Sequence, residues 1–289
     1  MNLSKYEILV KAIELGSLTK AANYYGYTQS AVSQVVHSLE DELGVILLLR
    51  SRAGISLTTE GEALLPYIRD IIHSQQMLVE RIDAYHGLHR GSLRIGAYHS
   101  VAAHMLAPLM KGFEEQHPKI EFEILEGDFT EIKHHLTTGR IDLAFLAIQS
   151  IHTFETITLK QDPLYVLLPL EHPLAESEYF PLDRLAAEPF IYLDEGDDND
   201  SEMIWKATGL RPNIKYYAKE DNTILSMVEN GFGIAILPES SIRGSSYGVI
   251  AKKTEPMYYR TLGIALRDRR HRTIAVKEFI KYVKESFEK

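Results

Sequence analysis

The 289-residue sequence predicts a chain of two architectures, an all-α N-terminal region and a larger α/β region, joined by one long helix. Three observations predict it. Apolar residues recur at helical spacing as far as Gly44. A heptad pattern then runs from Leu64 to Tyr85. From Leu93 onward, short apolar runs alternate with amphipathic stretches, which is the texture of parallel α/β sheets.

Composition bounds the function. A hydrophobic content of 45% and a charged content of 25% are those of a globular protein with material for real cores. The opening segment mixes Lys5, Glu7, Lys11 and Glu14 into its apolar pattern, unlike a signal sequence. No apolar run approaches the roughly 18 residues of a membrane span. With no cysteine, disulfides, thiolate metal sites and thiol redox sensing are excluded, and the cytoplasm is the simplest compartment. A formal charge of -9 argues against non-specific coating of nucleic acid. It leaves room for a small reading domain whose positive groups are placed locally.

The elements follow in order. Leu3, Tyr6, Leu9, Val10, Ile13 and Leu15 fall on one face of a first helix. Ser17 or Thr19 caps a second, short helix, with Ala21, Ala22 and Tyr25 inward. Gly26 breaks the pattern, and Thr28 or Gln29 starts a third helix that ends at Gly44. A helix-turn-helix needs a small residue where its helices cross and a sharp turn four residues later. Ala22 and Gly26 supply both, since glycine takes a positive φ without a Cβ clash. With Val32 and Val35 inward, Gln29, Ser30, Ser33, Gln34 and His37 form the outward face.

Apolar runs at 46–49 and 55–57 flank "RSRAG", a short hairpin with Gly54 in its turn. Thr59 with Glu62 fits a capping box at the start of the long helix. There Leu64, Ile68, Ile71, Gln75, Leu78, Ile82 and Tyr85 are spaced alternately four and three apart. This heptad seam reads as contact with a partner helix, the alternative being packing on its own domain. Pro66 removes one backbone bond and should kink the first turns. "HGLHRGS" at 86–92 is the linker. Strands are expected at "LRIGAY", "IEFEIL", "IDLAFLAI", "LYVLLPL", "FIYL", "NIKYYA", "GIAIL" and "LGIALR". Helices are expected at about 101–116 and 130–138, with an amphipathic helix at 274–287.

The segment "SLTKAANYYGYTQSAVSQVVHSLEDELGVILLLRSRAGISLTTEGEALL" is similar to the winged helix-turn-helix of the LysR-type transcriptional regulators. The resemblance extends over the whole chain, through the linker helix to "ENGFGIAILPES" near the end. It implies a winged helix-turn-helix at 1–58 and a linker or dimerisation helix at 59–90. A two-lobed, periplasmic-binding-protein-like effector domain follows at 91–289, with lobe I at about 92–161 and 266–289 and lobe II at about 162–265. It also implies a sequence-specific regulator of double-stranded DNA, a homodimer or homotetramer, whose DNA binding or bending responds to a small molecule. No enzymatic activity and no cofactor are implied.

On this chain the family's recognition helix falls at 29–42, making Gln29, Ser30, Ser33, Gln34 and His37 candidates for base or phosphate contact. The wing falls at 50–55, with Arg50 and Arg52 towards the backbone or minor groove. Dimerisation falls to Leu64, Ile68, Ile71, Leu78 and Ile82. Two departures are Val35 and Leu49, where relatives often carry polar or acidic residues. No Lys or Arg occurs from Ala21 to Leu49. That is physically admissible, because phosphate contacts supply affinity whereas base edges supply specificity. Gln pairs in two-pronged fashion with adenine, and Ser serves several bases. Lys5, Lys20, Arg50 and Arg52 are then the groups left to meet phosphates, with helix N-terminal amides.

Two α/β lobes joined by strand crossovers make a hinged cleft, with ligands at the carboxyl ends of strands. Those ends are "YHS", "EGDFT", "LDEGDD" and "KEDNT". The resemblance carries effector contacts to Ser100, Thr130, Leu193, Asp194 and Thr223. Glu126, Asp128, Asp194, Glu195, Asp197, Asp198, Glu220 and Asp221 would oppose a multiply charged anion, which points to an effector with a cationic group. The simpler and preferred reading of the sequence is that Asp128, Asp200 and Asp221 cap helices and the rest are solvated. No EF-hand, H-E-x-x-H, G-x-S-x-G, P-loop or G-x-G-x-x-G pattern is present. From another functional class, the alternative is a cytoplasmic α/β solute-binding or enzymatic domain whose N-terminal helices serve only oligomerisation. Specific, salt-sensitive DNA binding separates the two.

Overall fold

The computed structural model describes residues 4–51, 53–85, 90–194, 196, 199–268, 270 and 272–288. The N-terminal helices are α1 (Lys5–Leu15), α2 (Leu18–Tyr25) and α3 (Gln29–Leu43). Ser4, Ser17 and Thr28 cap them, each hydroxyl accepting an N–H of the first turn. Gly26 turns the chain at φ 72° between α2 and α3, a conformation that a Cβ would strain. A hairpin of β1 (Leu48–Ser51) and β2 (Gly54–Leu57) follows, pairing Leu48 with Leu57 and Ser51 with Gly54. The core of this unit gathers Leu9, Ala12, Ala21, Ala22, Val32, Val36, Leu39 and Leu47.

Helix α4 (Thr59–Tyr85) runs unbroken through Pro66. Its cap is Thr58, not Thr59: Thr58 Oγ1 accepts the Gly61 N–H at 2.9 Å and donates to the Ile46 carbonyl at 2.7 Å. With Thr58 as cap, the third helical residue is Gly61, which has no side chain to complete a capping box. The buried valine of α3 is likewise Val36 with Val32, the four-residue step of a helix, while Val35 is only half-buried.

The effector region begins at β3 (Gly91–Ala97). A helical stretch follows, built of α5 (His99–Val101), one π turn (Ala102–Leu106) and α6 (Ala107–Gln116). Next come β4 (Ile120–Glu126), α7 (Phe129–Thr137) and β5 (Leu143–Ala147), with β4, β3 and β5 parallel. Strand β6 (Glu155–Pro169) leaves this lobe and enters the other, with β7 (Tyr179–Phe180) and β8 (Pro189–Leu193) after it. The second lobe continues with α8 (Asp200–Thr208), β9 (Asn213–Ala218), α9 (Asp221–Glu229) and β10 (Ala235–Pro238). Then follow α10 (Glu239–Ile242) and β11 (Val249–Thr254). Strand β12 (Tyr259–Leu266) returns, and α11 (Ile274–Phe287) closes the first lobe.

The parallel strands that the alternation indicated are joined by antiparallel ones. Strand β6 is antiparallel to β12, β10 and β11, because it serves both lobes and must meet strands returning from each. The second crossing also lies earlier than about 266. Leu262, Ile264, Ala265 and Leu266 sit in the lobe I core with Phe113, Phe145 and Phe279. Lobe II holds two apolar clusters, around Phe190 and Ile204 and around Ile224 and Leu237.

Candidate functional site

The candidate reading end is assembled from α3 and β1. Val32, Val36 and Leu39 bury one side of α3, leaving Gln29, Ser30, Gln34 and His37 exposed and Ser33 half-buried on the other. These five residues and Arg50 of β1 line one concavity of about 1010 Å³. Lys20 is exposed in the first turn of α2, outside that concavity, and Arg52 lies outside the described residues. Each acid at the end of α3 is engaged. Glu40 Oε1 accepts the Leu47 N–H at 2.8 Å and the Leu48 N–H at 3.1 Å. Asp41 lies 3.7 Å from His37. Glu42 pairs with Lys5, which also donates to Ser38 Oγ at 3.2 Å. Lys5 is therefore paired within the domain, though both partners remain solvent-exposed.

Of the expected seam on α4, the first part belongs to the N-terminal core. Ile68 is buried there, Leu64 packs against it, and Leu65 and Ile72 join them. Ile71, Leu78, Ile82 and Tyr85 point away and are 46%, 58%, 46% and 83% exposed. Ile68 is thus corrected from a partner contact to a core residue, and Leu64 is half-buried against that core, because α4 buries this face against α1 and β2.

Between the lobes lies a cleft of about 350 Å³. Tyr98, His99 and Ser100 enter it after β3, with Glu126, Gly127, Asp128 and Glu131 from the β4–α7 turn. Lobe II supplies Asp194, Lys219, Glu220 and Asp221. Thr130 stands where the lobes approach: a Cβ on Gly196, which has φ +83°, would lie 2.6 Å from its Oγ1. Leu193 is corrected, because its side chain is buried in the lobe II core, as alternation along β8 requires once Asp194 faces out. Thr223 is exposed on α9, but Glu220 and Asp221 occupy the cleft wall in its place.

The cleft is electronegative. His99 Nδ1 lies 2.9 Å from Glu126 Oε2, and that hydrogen bond, with Glu220 and Asp221 nearby, raises His99 above the ordinary histidine value. Asp128 caps α7, and Glu131 returns the bond to the Asp128 N–H. Asp200 is no cap, since Asn199 holds that position and Asp200 pairs with Arg260 at 3.0 Å. Asp221 is the first residue of α9, and the preceding Glu220 makes no side-chain cap.

Sequence reasoning missed Arg260, which is fully buried where the chain crosses between lobes. Its Nε donates to Asp162 at 3.0 Å and its Nη2 to Ser240 Oγ at 2.9 Å, while its guanidinium lies 5.7 Å from the ring centre of Tyr98. The signal was present as single charges, Asp162 and Arg260, interrupting apolar strand text.

A polar joint fastens α4 and α1 to lobe I. Arg94 is held by Asp142 at 2.6 Å and lies 3.3 Å from His73 of α4. Burial would lower the Arg94 pKa, but Asp142 outweighs it and the net shift is upward. Arg267 meets Asp70 at 2.8 Å, and Arg140 meets Glu14 of α1 at 3.2 Å. Glu80 accepts the Ile274 N–H at the start of α11 at 2.9 Å. Burial pushes the Glu80 carboxyl up, partly offset by the Ile274 and Ala275 amides. Among the described residues, no helix is long and apolar enough to cross a membrane.

Comparison with known proteins agrees with this arrangement. Residues 3–62 match the bacterial regulatory helix-turn-helix family of lysR type, and residues 86–288 match the LysR substrate binding domain. The chain is 32% identical over 290 residues to the HTH-type transcriptional regulator YvbU of Bacillus subtilis, covering 99% of each. It is 34% identical over 242 residues to the probable HTH-type regulator LrrA of Synechococcus elongatus, covering 82% of this chain and 81% of that one. A full-length OxyR variant from Pseudomonas aeruginosa superposes with a TM-score of 0.78 at 23% identity, over 99% of this chain and 97% of that chain. Helix-turn-helix, long helix and two-lobed domain in one chain make it a member of the LysR family: a non-enzymatic, DNA-binding transcriptional regulator with an effector-binding domain.

Proposed function

We propose that this regulator binds a two-fold-related site on double-stranded DNA as a homodimer or homotetramer built on α4. It reads the site with the exposed face of α3, and a small molecule with a cationic group in the cleft alters DNA binding or bending. The observation that carries the reading is the convergence of Gln29, Ser30, Ser33, Gln34 and His37 on one concave surface. Exposed Ile71, Leu78 and Ile82 support pairing through α4. For the effector, capping explains Asp128 and Glu131. It does not explain Glu220, which makes no side-chain cap, or Asp194 beyond the end of β8. Those carboxylates favour a cation in a cleft where, among the described residues, the basic lining groups are Lys219 and His99.

Gel shifts on the DNA upstream of the protein's own gene test the first part. Specific retardation that weakens linearly in log affinity with log salt is expected. Polyamines, basic amino acids and dicarboxylates added to the same assay test the second. Cationic compounds should change affinity or bend angle, and a response to dicarboxylates alone would sink the cationic effector.

A further inference from the structure

The family resemblance directs Arg50 towards the DNA backbone or minor groove, but its place in this fold is on the reading face. Strand β1 is stapled to α3 at two points. Near the end of the helix, Glu40 takes the Leu47 and Leu48 amides at 2.8 and 3.1 Å. Two turns earlier, Ser33 Oγ accepts a hydrogen bond from Arg50 Nη1 at 2.8 Å. Side chains alternate along a strand, so Arg50 shares the face of buried Leu48, which is turned towards α3, while Leu49 points the other way. Arg50 has no carboxylate partner among the described residues, and it lines the same concavity as Gln29 and Gln34.

From this geometry we infer that Arg50 reads a base, a guanine in each half-site, and that Ser33 is the positioning residue that aims it. The inference rests on the proposed reading role of α3. Guanine presents two acceptors in the major groove and is met by a forked cation, whereas Gln suits adenine. Of the described residues on this concave face, only Arg50 carries a rigid two-donor fork, and the Ser33 bond uses one of its five N–H groups. Ser33 thereby moves from base contact to support.

The test is selection of binding sites by the full-length protein from randomised duplex DNA, with salt titrations on the selected sequence. Arg50→Lys keeps the charge and loses the fork. It should cut discrimination for one guanine per half-site by about ten- to a hundredfold while the salt slope stays unchanged. Ser33→Ala should weaken preference at that same position, and Ser33→Thr, which keeps the hydroxyl, should restore it. Gln34→Ala should act at a different base pair. If Arg50→Lys leaves every base preference intact, or weakens all sequences alike, Arg50 is a phosphate contact and the inference falls. A Ser33→Ala change at a position that Arg50→Lys spares overturns the positioning role. Failure of the unmodified protein to select any sequence would overturn the proposed function as well.

Discussion

At the scale of single residues, Glu80 gives a pH signature. Its carboxyl is buried, and its pKa stands above the ordinary 4.5 because desolvation outweighs the amide bonds from Ile274 and Ala275. An acid raised in this way holds its proton more firmly folded than unfolded. Its contribution is fully present below the unfolded value and is lost as pH rises through the folded one. Glu80→Gln keeps an acceptor for the Ile274 N–H and cannot ionise. Between about pH 4 and about pH 7, thermal midpoints of variant and parent should therefore diverge in the variant's favour. A variant whose stability deficit instead grows as pH rises would mean that the negative charge itself holds α11. Glu40 differs, being only half-buried and bonded to two amides. Glu40→Ala should lower stability by about 1–2 kcal/mol in chemical denaturation and loosen the wing.

At the scale of elements, α4 buries one face in the N-terminal core and leaves another exposed, where the proposed pairing would sit. Ile68→Asp places a charge in the N-terminal core and should cost about 3–5 kcal/mol or prevent folding of that unit. Ile71→Asp lies on the outer face and should leave the monomer folded while dissociating the proposed α4-paired dimer in sedimentation. Equal effects of the two would contradict the division. The sequence showed a heptad seam but not which part is claimed by the domain's own core, since that depends on contacts with α1 and β2. Local chemistry was legible: Ser17, Thr28 and Gly44 bound their helices as their residue types demand. Choices between neighbours were not. Thr58 prevails over Thr59 through carbonyls of Ile46 and Leu47, more than ten residues away. In the cleft, Ser100 and Asp194 line the wall as the strand-end rule indicated, whereas Leu193 does not, because pleat direction is set by the lobe II core. Arg260 stayed hidden because its partners Asp162, Asp200 and Ser240 are scattered along the chain.

At the scale of the whole molecule, the polar joint sets where the reading end stands relative to the effector domain. Contacts of Glu14, Asp70, His73 and Glu80 all fall on lobe I, through Arg140, Arg267, Arg94 and Ile274. Strands β6 and β12 run on from lobe I into lobe II. One continuous strand, β6, carries the antiparallel ladder of β12 on its first half and those of β10 and β11 on its second. The region about which the lobes would tilt is thus threaded by ladder hydrogen bonds. In deuterium labelling, amides at 157–168 should be among the last to exchange, slower than those of the outer strand β4. Rapid labelling there would mean that the crossing melts. Slow labelling would mean that the lobes flex as a bent spring does, storing and returning strain without breaking a rung.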